Sequence, residues 1–259
     1  MSKHPFHLVS PSPWPLVASF SALLLVCGLV LSWSNRGLLL LVIGVCLILI
    51  TCVFWWSNVI HESTSLGFHT KRVQFGLRLG IGLFIVSEVF FFLGFFWAYL
   101  HCSLSPNVEL GSCWPPLGLH SLNAFHVPLL NTVVLLSSGA TVTWSHSSLK
   151  SGSTLSCFYS LLITVSLGFF FTLLQGIEYH ISSFCISDSA YGSCFFLATG
   201  FHGLHVFIGS LFLTTCLFRV YYYHFSPRRH LGLEFACWYW HFVDVVWILL
   251  YLIIYIWGA

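Results

Sequence analysis

Apolar runs long enough to cross a bilayer follow one another along nearly the whole chain, separated by short polar breaks, and this pattern points to a helical membrane bundle. A hydrocarbon core about 30 Å thick takes about 20 mostly apolar residues per helical span. Runs at 15–34, 38–60, 73–102, 128–148, 155–182, 192–222 and 232–257 meet that length, so seven transmembrane helices are predicted. Composition agrees: 58% of the 259 residues are apolar and 6% are charged, against roughly 25% charged in a soluble domain. The first break is only Ser34, Asn35, Arg36 and Gly37, which makes the first two helices a tight antiparallel hairpin. The longest loop, 103–127, carries Pro106, Pro115, Pro116 and Gly118, which stop helix at both ends. The chain reads as one all-α transmembrane domain over 1–259: a segment 1–14, helices one and two over 15–60, and helices three to seven over 61–259.

Basic residues set the predicted orientation. Lys3, Lys71, Arg72, Arg78, Lys150, Arg219, Arg228 and Arg229 fall on the N-terminal side of a seven-span chain, and only Arg36 falls opposite. Lys and Arg near span ends stay on the cytoplasmic or matrix side, so the N-terminus is expected there. The first residues, MSKHPFHLVSPSPWPL, match neither a signal peptide nor a transit peptide. No cleavable leader is expected, and so apolar a chain suits synthesis in the bacterium or organelle that uses it. Trp55, Trp56, Trp114, Trp144, Trp238, Trp240 and Trp257 are expected at span ends as headgroup-layer anchors. A net charge of +2 gives no basic excess for nucleic acid. Among the ten cysteines there is no CxxC pair, and Cys27, Cys46, Cys52 and Cys216 lie in apolar runs as small hydrophobes. Cys102, Cys113, Cys185 and Cys194 lie in or near two loops on one side, where a disulfide stays open.

Four groups of residues carry candidate chemistry. Glu88 lies mid-span in ISEVFFFLGFFWAY, where a charged acid costs about 2.5–3.5 kcal/mol, a cost met by a proton or by a buried partner. Its residues leave open a packing role, proton handling, or sensing of lipid and partner. His202 and His205 in FHGLHV, and His241 and Asp244 in WYWHFVDVVW, are spaced to share a helix face. Interhelical hydrogen bonding is the expected use of these histidines and of Asp244, the second in-membrane acid. Metal or haem ligation stays open, although no Cys or carboxylate set accompanies them. On the basic side, Glu62, His69, Lys71, Arg72, Arg219, His224, Arg228 and Arg229 form a ring at headgroup height. They serve topology and solvation, or they bind anionic lipid, since a guanidinium matches phosphate geometry.

In order, SEVFFFLGFFWAY, ELGSCWPPLG, VPLLNTVVLLSSG, FTLLQGIEY, ATGFHGLHVFIGS and WYWHFVDVVWILLY resemble the cytochrome c oxidase subunit III family, and HPFHLVSPSPWPL with the Trp55–Trp56 pair extends the likeness to the first two helices. The resemblance implies a two-helix hairpin plus a five-helix bundle, with a V-shaped cleft that holds phospholipid such as phosphatidylglycerol, phosphatidylethanolamine or cardiolipin. It implies no metal or catalytic residue in this chain. Haem and copper would belong to subunits I and II, with subunit I the main partner and its proton uptake supported from here. Glu88 matches the family's membrane-embedded glutamate, and Trp56, Glu62, His69, Arg219 and His224 match its lipid-contacting residues. Ser57 in WWSN and His61 in IHES stand where the family usually has basic residues, as does Tyr222, which removes fixed positive charge from the cleft mouth. The expected location is the mitochondrial inner membrane, or a bacterial plasma membrane. Two competing readings are a haem or metal enzyme built on His202, His205 and His241, and a transporter built on Glu88 and Asp244. The latter expects discontinuous helices or inverted repeats, and neither is evident in the sequence.

Overall fold

Each apolar run becomes a helix, and the polar breaks become the turns and loops between them. The computed structural model describes residues 5–108 and 111–258, so Lys3, and Glu109 and Leu110 of the ELGSCWPPLG stretch, lie outside the described residues. The helices are α1 (Trp14–Trp33), α2 (Leu39–Thr64), α3 (Lys71–Leu104), α4 (Val127–Lys150), α5 (Thr154–Ile181), α6 (Ala190–Tyr221) and α7 (Leu231–Leu250), the last continued by π-helical turns over Tyr251–Trp257. All seven are long and apolar enough to cross a membrane. Pro15 and Pro128 stand in the first turns of α1 and α4, where a missing N–H costs nothing. The Ser189 hydroxyl accepts from the Gly192 N–H at 3.4 Å and caps α6. The largest departure from the sequence expectation is at α2, which runs to Thr64 instead of stopping at residue 60. The backbone ladder continues past the apolar run, with the Ser65 N–H donating to the His61 carbonyl at 2.9 Å, while the hydroxyls of Ser63 and Thr64 fold back onto the Ile60 carbonyl at 2.8 and 2.7 Å.

The chain divides into two units, Met1–Leu77 and Arg78–Ala259, with the division inside α3. In the first, α1 and α2 pack as an antiparallel hairpin joined through Asn35 and Gly37, both with positive φ. A Cβ on Gly28 would strike the Leu41 backbone, and one on Gly44 would come within 2.6 Å of Leu25 N. The two glycines therefore set how closely the helices approach, as small residues do between membrane helices. Ser21 and Thr51 are buried and return their hydroxyl protons to Val17 and Leu47 carbonyls, both at 2.7 Å.

In the second unit, α4 packs on α5, α5 on α6, α6 on α7, and α7 returns to α4. The core is aromatic, with Trp240, Trp247, Phe171 and Tyr191 buried. Trp240 corrects the expectation of a headgroup-layer anchor: it is fully buried, and its indole N–H donates to Ser138 Oγ at 2.9 Å. A buried indole needs one acceptor, and a serine on the facing helix supplies it. The Trp247 N–H donates to Thr132 Oγ1 at 3.0 Å by the same logic. The α3 helix joins through long side chains, with the Arg78 guanidinium forked onto Glu234 at 3.1 and 3.3 Å at one end. At the other end the Tyr99 O–H reaches the Gly258 carbonyl at 3.4 Å.

Candidate functional site

Glu88 sits midway along α3, and its Oε2 lies 2.9 Å from His205 Nε2 on α6. The other ring nitrogen of His205 donates to the Phe201 carbonyl at 2.7 Å. With Nδ1 committed as a donor, Nε2 either accepts a hydrogen bond from a neutral acid or, protonated, donates one to a carboxylate. Either form carries one proton between the two groups and no net charge, which suits a site walled by Phe91, Phe92 and Phe242. His202 turns elsewhere: it is fully buried, and its Nε2–H donates to the Val243 carbonyl of α7 at 3.2 Å. The three-residue spacing thus sends two imidazoles to two different helices.

His241 and Asp244 do face each other, with Nδ1 and Oδ2 3.6 Å apart. The Thr143 hydroxyl of α4 donates to the Gly139 carbonyl at 2.9 Å, which leaves its oxygen to accept from His241 Nε2–H at 3.2 Å. A Cβ on Gly139 would collide with Asp244 Oδ2, so the glycine makes room for the acid against α4. Asp244 is 6% exposed while the His241 side chain is 46% exposed, so the imidazole covers the carboxyl.

The residues expected at headgroup height are divided between the two units. In the first, Glu62 Oε2 lies 3.0 Å from His7 Nε2, and the His7 ring stands 6.1 Å from that of His69. The Thr70 hydroxyl donates to the Pro5 carbonyl at 2.5 Å, and Arg72 lies over Phe6, which ties the N-terminal segment to the start of α3. Trp56 is 65% exposed. In the second unit, Arg219 ends α6 with its guanidinium 4.2 Å over the Phe225 ring, a cation–π contact. Its Nε is buried and has no partner among the described residues. The His224 backbone N–H donates to the Arg219 carbonyl at 2.9 Å, so the two residues are held together at the helix end.

Sequence reasoning passed over a third acid. Glu178 of α5 is 2% exposed, and Tyr255 O–H donates to its Oε1 at 2.5 Å. The residue lies one turn from the end of α5, and the phenol that reaches it comes from the π-helical turns at the far end of the chain. Glu234, the partner of Arg78, was likewise passed over because the two are 156 residues apart.

Among the described residues no three His, Cys, Asp or Glu side chains converge as metal ligands. Cys102, Cys113, Cys185 and Cys194 are all free thiols. The profile of the family described as Cytochrome c oxidase subunit III matches residues 4–259. The chain is 56% identical to cytochrome c oxidase subunit 3 of Tetraodon nigroviridis over 256 residues, 99% of this chain and 98% of that protein. It is 57% identical to the protein of that name from Branchiostoma floridae, and 56% to that from Osphranter robustus, with the same coverage. The chain belongs to the cytochrome c oxidase subunit III family.

Proposed function

We propose that the chain is the accessory core subunit of cytochrome c oxidase, the complex that reduces oxygen to water with electrons from cytochrome c and pumps protons. The family match across residues 4–259 carries this reading. The placing of two membrane acids against imidazoles supports it, because Glu88 and Asp244 face His205 and His241 of the same chain. In this reading subunit I is the main contact and subunit II a further partner, and haem and copper are held by them. The chain alone is not catalytic; it aids assembly and steadies proton uptake by subunit I. Its membrane is the mitochondrial inner membrane, with the N-terminus on the matrix side.

Lipid binding is the second part of the proposal. Trp56, Glu62, His69, Arg219 and His224 are assigned to phospholipid headgroups. The unpartnered Nε of Arg219 supports this, since a guanidinium grips phosphate through such N–H groups. The test is purification of the assembled oxidase, followed by release of this chain. Haem absorption and copper should stay with the partners, and the depleted complex should lose activity faster during turnover. Iron or copper bound by this chain's own side chains, or unchanged turnover stability after its release, would overturn the proposal.

A further inference from the structure

The densest set of unanswered buried polar atoms lies away from Glu88 and Asp244. Asn131 of α4, Gln175 and Glu178 of α5, and Tyr255 of the π-helical turns are 0%, 4%, 2% and 2% exposed. Two hydrogen bonds link them across helices: Tyr255 O–H to Glu178 Oε1 at 2.5 Å, and Asn131 Nδ2–H to Gln175 Oε1 at 3.4 Å. Three atoms then have no partner among the described residues, namely Glu178 Oε2, Gln175 Nε2 and Asn131 Oδ1. Buried polar atoms in a native protein are nearly always satisfied, by protein or by ordered water. An apolar lipid tail answers none of these three.

The chemistry of the trio selects its ligand. Two oxygens ask for donors and one amide N–H asks for an acceptor, and a water molecule supplies two O–H donors and accepting lone pairs. A cation would face the Gln175 N–H, and an anion would face the Glu178 carboxyl. The titratable groups around Glu178 are the phenols of Tyr179, Tyr191 and Tyr255, and among the described residues no Lys, Arg or His pairs with it. Access is close by. A pocket of about 340 Å³ is lined by Ser121, Asn123, Ala124, Phe125, Ile256 and Tyr255 itself. Tyr255 therefore stands between this pocket and the carboxyl, on π-helical turns, a geometry frequent at functional sites.

We propose that Asn131, Gln175, Glu178 and Tyr255 form a buried water-binding site whose water exchanges past Tyr255 with the pocket at the 121–125 end of the bundle. Cryo-electron microscopy of the purified, assembled oxidase, at a resolution that shows ordered water, tests it. The parent should show density within hydrogen-bond distance of Glu178 Oε2, Gln175 Nε2 and Asn131 Oδ1. Glu178→Gln should keep that density, and Asn131→Leu should lose it. Should Asn131→Leu fail to assemble, infrared difference spectra of parent against Glu178→Gln in light and heavy water decide. The bands assigned to Glu178 should shift soon after solvent exchange. A parent site in which the three atoms pair directly with one another, or Glu178 bands that do not move in heavy water, overturns the proposal.

Discussion

Glu88 of α3 and His205 of α6 meet 2.9 Å apart in the middle of their helices, with 22% and 11% of their side chains exposed. Their contact holds one proton between two groups that neither lipid nor the aromatic walls can solvate. It also ties α3 to a bundle that this helix joins through Arg78 and Tyr99 near its ends and through Phe91, Phe92 and Phe95 around the acid.

Removing one member should expose that dependence. His205→Leu leaves the acid without its partner, and an unmet hydrogen bond at such a site costs about 1–3 kcal/mol, more where the stranded group is charged. Glu88→Gln keeps a hydrogen bond to the ring and should cost about 1 kcal/mol. Assembly should survive the glutamine variant, while lipid content or long-term turnover changes. Thermal inactivation of the two purified complexes compares them; equal losses would show that the pair contributes no more than shape.

At Asp244, Gly139→Ala should force the carboxyl away from α4, because the new methyl takes the space of its Oδ2. Overpacking of this kind costs about 1–3 kcal/mol. A double-mutant cycle with Asp244→Ala is the measurement, and a strong coupling between the two changes is expected. Strictly additive losses would mean that the glycine serves something other than the carboxyl.

The helices were legible because lipid imposes a length and a polarity that the runs display directly, down to the short break after Trp33, which in the structure takes in Leu38 as well. The pairing of His241 with Asp244 was legible too, since three residues along one helix bring side chains together. His202 and His205 have the same spacing yet choose different helices, because nothing local tells an imidazole which neighbour will supply its partner. Trp240 misled for a related reason. An indole near a run's end looks like an anchor until α4 is seen to place Ser138 against it. Glu178 was hidden in the same way, its partner Tyr255 being 77 residues further along.

Arg219→Ala should lower the anionic lipid retained by the purified complex, whereas Arg219→Lys should retain part of it. The lysine keeps the charge but loses the planar fork and much of the stacking on Phe225. Mass-spectrometric quantification of lipid per complex reads the series. Equal recovery from all three proteins would remove Arg219 from the proposed lipid site.

The loop between α5 and α6 should respond to acid. Asp188 accepts from the Cys185 N–H at 2.7 Å and from the Cys185 thiol at 2.9 Å. The thiol contact first, and the backbone N–H second, hold its carboxyl below the usual aspartate range. A carboxyl with a depressed folded-state pKa favours the ordered loop most fully above its unfolded pKa, and that contribution fades as pH falls through the folded value. Protection of the Cys185 amide from hydrogen exchange, corrected for intrinsic rate, should therefore stay constant from neutral pH down to the ordinary aspartate range and drop below it. Asp188→Asn should show weaker protection at neutral pH and no such drop on acidification. Because the carboxyl is on the surface, the change should be confined to this loop, and melting of the bundle in the same pH interval would point to a different acid.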